Sequence, residues 1–133
     1  MPVRVLAKDG VLESLHGPAR FCRYLDMEPA GSYRRIRVDN GSLPMEELCK
    51  APCIRPVLFS DFQADALAGR FGGEIRLAYV YDESGAHIVT GGSISGSLLE
   101  AQADFAFSRE RFSNSRYEGP MAVRLQGVSV AGR

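Results

Sequence analysis

The cleanest alternation of hydrophobic and polar positions runs from Glu74 to Tyr81. Ile75, Leu77, Tyr79 and Tyr81 fall on one side, and Glu74, Arg76, Ala78 and Val80 on the other. A period of two sends successive side chains to opposite faces, so the segment predicts a strand. Asp82-Glu-Ser-Gly85 supplies a connection with glycine where a left-handed residue is needed, and Ala86 to Thr90 predicts the returning strand. Gly91, Gly92 and Gly96 then mark a corner. Ser97 followed by Glu100 has capping-box spacing, and Leu98, Leu99, Ala101 and Phe105 predict a helix ending near Phe107.

The N-terminal half reads in shorter pieces. Val3 to Ala7 and Val11 to Leu15 flank Lys8-Asp9-Gly10, and Asp-Gly tolerates positive φ, so a tight hairpin is expected. Pro18 can open a helix whose inward face carries Phe21, Cys22 and Leu25. Tyr33 to Val38 predicts a half-exposed strand. Ser42 is the expected cap of a short helix in which Met45, Leu48 and Cys49 face inward. Pro52 and Pro56 bound an irregular stretch, and Val57 to Phe59 fits a strand. Ser60 to Ala68 is ambiguous; as a helix ending at Gly69 it would bring Asp61 and Asp65 onto one face. Arg109 to Glu118 is polar and predicts a loop. Met121, Val123 and Leu125 alternate again, and Val128 and Val130 close the chain. The expectation is an α+β fold: one β-rich domain over 1–133, built of antiparallel hairpins with two or three short helices.

Composition narrows the function classes. The chain has 133 residues, enough for one domain. Lys plus Arg number 16 and Asp plus Glu number 16, so no net positive charge favours a phosphate backbone, and no nucleic-acid partner is expected. No apolar run approaches the roughly 18 residues that a membrane span needs, and the alternating N-terminus has no signal-peptide core, which predicts a cytoplasmic protein. Cys22, Cys49 and Cys53 make an odd count that argues against a disulfide framework. Cys49-Lys-Ala-Pro-Cys53 lacks CxxC spacing, and the expectation is a pair of partly buried structural thiols.

Candidate chemistry is sparse. His16 and His87 share no HExxH-type spacing, so no metal site and no catalytic residue are predicted. Gly91 to Gly96 lacks the pattern of a phosphate loop, and its glycines more simply permit a sharp strand-to-helix crossing. If the chain binds a small molecule or peptide, the candidates are Arg76, Tyr79, Gly92, Ser93, Gly96 and Arg124, from the central strand, the glycine corner and the last alternating segment.

Several segments, in order, resemble the C-terminal portion of the TldD/PmbA family, long called modulators of DNA gyrase and regarded as metallopeptidases. They are VRVLAKDGVLESLHGPARFCRYLDMEPAGSYRR, NGSLPMEEL, GRFGGEIRLAY, GGSISGSLLEA and GPMAVRLQGVSVAG. The resemblance runs nearly end to end. It implies a β-rich C-terminal domain, free-standing here. Catalytic members carry HExxxH in an N-terminal half, upstream of any position in this chain, and a cysteine near the C-terminus. SRERFSNSRY stands where that cysteine is expected. The resemblance therefore implies a noncatalytic assembly domain without cofactor. Its implied partner is a second copy or a separately encoded HExxxH subunit that forms the active metallopeptidase.

Overall fold

The structure, a computed structural model, describes residues 3–132. The opening Met1-Pro2 of the alternating N-terminus and the final Arg133 lie outside the described residues. The chain divides into two compact units, Met1–Ile36 and Arg37–Arg133. The architecture is α+β, with antiparallel hairpins and a few short helices.

The first unit contains β1 (Ala7–Lys8), β2 (Val11–Leu12) and α1 (Ala19–Tyr24). Asp9 and Gly10 both have positive φ, 51° and 77°, which is the twist a two-residue hairpin turn requires. The expected hairpin is present with shorter strands, closed by the Ser14 hydroxyl on the Val5 carbonyl. Pro18 occupies the cap position of α1. Of the expected inward face only Cys22 is buried, at 4% exposure, while Phe21 and Leu25 are exposed. A six-residue helix completes too few turns to bury three positions.

β3 (Ile36–Arg37) falls at the unit boundary and is much shorter than the strand expected over Tyr33–Val38. α2 (Met45–Leu48) follows Pro44, which takes the cap position with no side-chain cap. The expected Ser42 cap is displaced because proline pre-sets the entering φ. β4 (Cys53–Asp65) and β5 (Arg70–Asp82) then form the longest hairpin, each strand 13 residues. The ambiguous stretch from Ser60 is strand as far as Asp65, not helix. Residues 61–65 pair with 70–74 of β5, so Asp61 and Asp65 do not share a helical face. The Asp65 carboxylate instead accepts from the N–H groups of Leu67 and Ala68, at 2.9 and 3.0 Å, and Gly69 turns the corner at φ 64°.

β6 (Gly85–Val89) and β7 (Ser93–Ser97) both pair with β5 in one unbroken register, from Asp82↔Gly85 to Arg70↔Ser97. Between them Gly91 and Gly92, at φ 80° and 91°, interrupt the strand, and the Ile75 N–H bonds the Gly92 carbonyl at 2.8 Å. α3 (Leu98–Ala101) starts as expected, with the Ser97 hydroxyl accepting from the Glu100 N–H. It ends early in a 3₁₀ turn (Gln102–Asp104), because Phe105 is extended and leads into β8 (Ala106–Phe107).

The polar stretch expected as a loop is a hairpin of β9 (Arg111–Ser113) and β10 (Tyr117–Pro120). The Asn114 side chain shapes its turn by accepting from the Arg116 and Tyr117 N–H groups, both at 2.8 Å. β11 (Val123–Arg124) pairs with β8, and β12 (Ser129–Ala131) adds to β7. The main sheet has five strands in the order β12-β7-β5-β4, with β6 also on β5. Its packing centres on Phe71, Ile75 and Ala78 of β5. Gly96 lies against the Phe71 ring, and a Cβ there would stand 2.8 Å from it, so no larger residue fits without moving that ring. Among the described residues no helix is long and apolar enough to cross a membrane.

Candidate functional site

One face of the five-stranded sheet forms the floor of a cleft of about 840 Å³. Its floor includes Phe59, Phe71, Ile94 and Val130, and its walls are α2 and the segment from Met121 to Val128. The lining is mostly apolar, with Arg55, Tyr81 and Arg124 among its polar groups.

Arg124 organises one wall. Its Nη1 donates to the carbonyls of Leu48 and Lys50, both at 2.9 Å, and its Nη2 to that of Pro52 at 3.0 Å. A planar guanidinium thus closes the turn that leads from α2 into β4, where the Ala51–Pro52 peptide is cis. Cys49 and Cys53 flank this turn, half-buried and unbridged. The Cys53 thiol donates to the Leu48 carbonyl at 3.7 Å. Burial pushes the Cys53 pKa up, the Arg124 charge opposes that shift, and Cys49 adds to it. Beside them, a side-chain hydrogen bond to Tyr81 raises the pKa of Arg55 against its desolvation and keeps that guanidinium charged.

The six ligand candidates from sequence are scattered. Arg124 lines the cleft, but its guanidinium is engaged by backbone carbonyls. Ser93 lines a shallower hollow of about 470 Å³ with Asp61, Asp65, Arg70 and Glu74. Gly92 is exposed beside β7, and Gly96 lies against Phe71. Arg76 is exposed on β5 and Tyr79 pairs across to Arg55 and Ile88; neither lines the cleft or the hollow. Of the residues the cleft does gather, sequence marks Tyr81 only as a strand position and Cys53 only as one of two structural thiols, and Arg55 carries no signal. Their meeting depends on β4 lying along β5, where Cys53 faces Tyr81.

A second polar cluster sits at the β5–β6 turn. The Ser84 hydroxyl lies 2.6 Å from Asp82 Oδ1 and 2.8 Å from His87 Nε2, and that same nitrogen is 3.2 Å from Asp82 Oδ1. These residue types recur in hydrolytic triads, but a triad needs one ring nitrogen toward serine and the other toward the carboxylate. Here a single nitrogen serves both, so the imidazole cannot relay a proton between them. The cluster is a turn brace. The Ser84 hydroxyl and N–H hold the Asp82 carboxyl below the usual carboxylate range, with a further contribution from His87. His16 is engaged elsewhere, its ring 4.3 Å from that of Tyr33. Among the described residues no three His, Cys, Asp or Glu side chains converge as metal donors. Compared with protein-family models, curated proteins and solved structures, the chain matches none.

Proposed function

We propose that this chain is a noncatalytic assembly module, and that its system is TldD/PmbA-like. The observation that carries this reading is the imbalance between core and surface in the second unit. Among its described residues, the buried side chains of the core are Leu48, Phe71, Ile75, Ala78 and Ala101, with Pro120 buried beside them. Val57, Leu58, Phe62, Ile88 and Leu99 remain exposed on its strands and on α3. Exposed apolar side chains on β4, β6 and α3, set against so small a core, support a chain that a partner covers. The residue likeness to the family's C-terminal portion supplies the kind of partner: a second copy, or a separate HExxxH subunit working in the cytoplasm. This chain would contribute walls and spacing to such a complex while the partner contributes the metal donors.

Two measurements test the proposal. Sedimentation of the purified chain across a wide concentration range should show a dimer or larger species, or a stable complex with an HExxxH subunit. A strict monomer that takes up no such subunit overturns the assembly reading. Peptide hydrolysis with added Zn²⁺ should stay at background for the chain alone, and turnover with stoichiometric metal overturns the noncatalytic reading.

The cleft favours a second reading, a module that binds a small molecule or peptide, since concave apolar walls with a few polar groups are the usual form of such sites. Its discriminator is saturable binding of an apolar fluorescent probe that Val57→Arg, which places charge in the cleft lining, abolishes.

A further inference from the structure

We propose that Cys49 and Cys53 form a dithiol–disulfide site that exchanges with small anionic disulfides of the glutathione class. The inference is independent of what the cleft binds.

Position carries it first. Both cysteines line the cleft, and only Lys50, Ala51 and Pro52 separate them. The Cys53 thiol folds back to the Leu48 carbonyl at 3.7 Å. That carbonyl carbon is bonded to the amide nitrogen of Cys49, so the second sulfur already lies beside the backbone of the first. Arg124 then fixes the turn by three hydrogen bonds to the carbonyls of Leu48, Lys50 and Pro52. A turn held this way has little chain entropy left to lose when a bond closes across it.

Charge selects the reactant. The guanidiniums of Arg55 and Arg124 both act on the Cys53 thiol. They attract an anion and repel a metal cation, and two thiols are fewer donors than the four of a structural zinc site. The two cations favour an anionic disulfide as the incoming reactant, although burial outweighs them at the Cys53 thiol itself.

The exchange balances in two steps. A thiolate at Cys49 attacks one sulfur of the small disulfide, forming a mixed disulfide and releasing one small thiolate. Cys53, once deprotonated, attacks the Cys49 sulfur, closes the internal bond and displaces the second small thiolate. Two protein thiols are oxidised, one small disulfide is reduced to two thiolates, and the two protons lost by the protein thiols pass through solvent to those thiolates. Burial disfavours the Cys53 thiolate, which makes Cys53 the second to react.

The test equilibrates the whole chain in buffers of varied reduced-to-oxidised glutathione ratio, alkylates the remaining thiols and measures intact mass. Two of the three alkylation sites should vanish together, with peptide mapping joining 49 to 53 and leaving the buried Cys22 alkylated. Cys53→Ser should stop at a glutathione adduct on Cys49. The folded chain should close at a more reducing ratio than the urea-unfolded chain. Retention of all three sites at the oxidised end overturns the proposal. So do a bond to Cys22, a bond to another molecule, and equal midpoints for folded and unfolded chain.

Discussion

Ser108 shows how much a single hydroxyl can hold. It is 0% exposed and joins segments far apart in sequence. Its Oγ donates to the Glu110 carbonyl at 2.8 Å and accepts from the Ala122 N–H at 3.0 Å, while its own backbone bonds Ala122 and Gly41. Ser108→Ala strands the part-buried Ala122 N–H, while the Glu110 carbonyl keeps its bond from the Met121 N–H, so a loss of about 1–2 kcal/mol is expected in urea denaturation. A loss below about 0.5 kcal/mol would show that water replaces the hydroxyl. Arg124 is the second such residue. Arg124→Lys keeps the charge but cannot span three carbonyls, and a loss of about 1–2 kcal/mol is expected, with Arg124→Ala worse. Asp82 gives a pH prediction. Its folded-state pKa lies below the unfolded one, so its contribution is complete above the unfolded value and disappears as pH falls through the folded value. Ser84→Ala removes the largest cause of the shift but leaves the Ser84 N–H and His87, so NMR titration should find the Asp82 carboxyl moved upward, toward its ordinary value. An unmoved titration would mean that Ser84 is not the cause.

At the scale of elements, the sequence was readable where local chemistry and long-range pairing agree. Asp9-Gly10 dictates its own turn, Ser97 caps its own helix, and the alternation from Ile75 to Tyr81 suits a central strand. It misled where they conflict. Residues 60–68 carry helix-compatible spacing, but pairing with β5 and the stacking of Phe59, Phe62 and Phe71 outweigh that local preference. Gly69, read as a helix end, is a hairpin corner, and both roles need the same positive φ. The cleft was the least readable feature. It assembles from α2, four strands of the main sheet and the segment after β10, and no single stretch announces it. Gly73 offers a test of the aromatic packing. A Cβ there would stand 2.8 Å from the Phe62 ring and 2.9 Å from that of Phe59. Gly73→Val should therefore cost about 1–3 kcal/mol through displacement of both rings, measured by thermal unfolding.

At the scale of the molecule, the two units differ in what holds them. The second contains both 13-residue strands and the main sheet. Deletion of residues 1–35 should leave it unfolding in one cooperative step in urea, and a broad, gradual transition would show that it depends on the first unit. Among its described residues the first unit offers one short hairpin, one short helix and a single buried apolar residue, Cys22, which is too little to fold alone.

The outer position of β4 has a consequence for the life of the protein in concentrated solution. A rim of 13 residues is long enough to seed fibrils, since any passing strand could stack along it. Pro56 withholds one amide hydrogen, and the register shifts between Pro56 and Asp61 warp the rim where the apolar Val57, Leu58 and Phe59 occur. Asp61 and Asp65 add repulsion along the remaining length. Pro56→Val would restore the donor and straighten that run, and such a variant should turn a solution thioflavin-positive on standing while the parent protein stays clear.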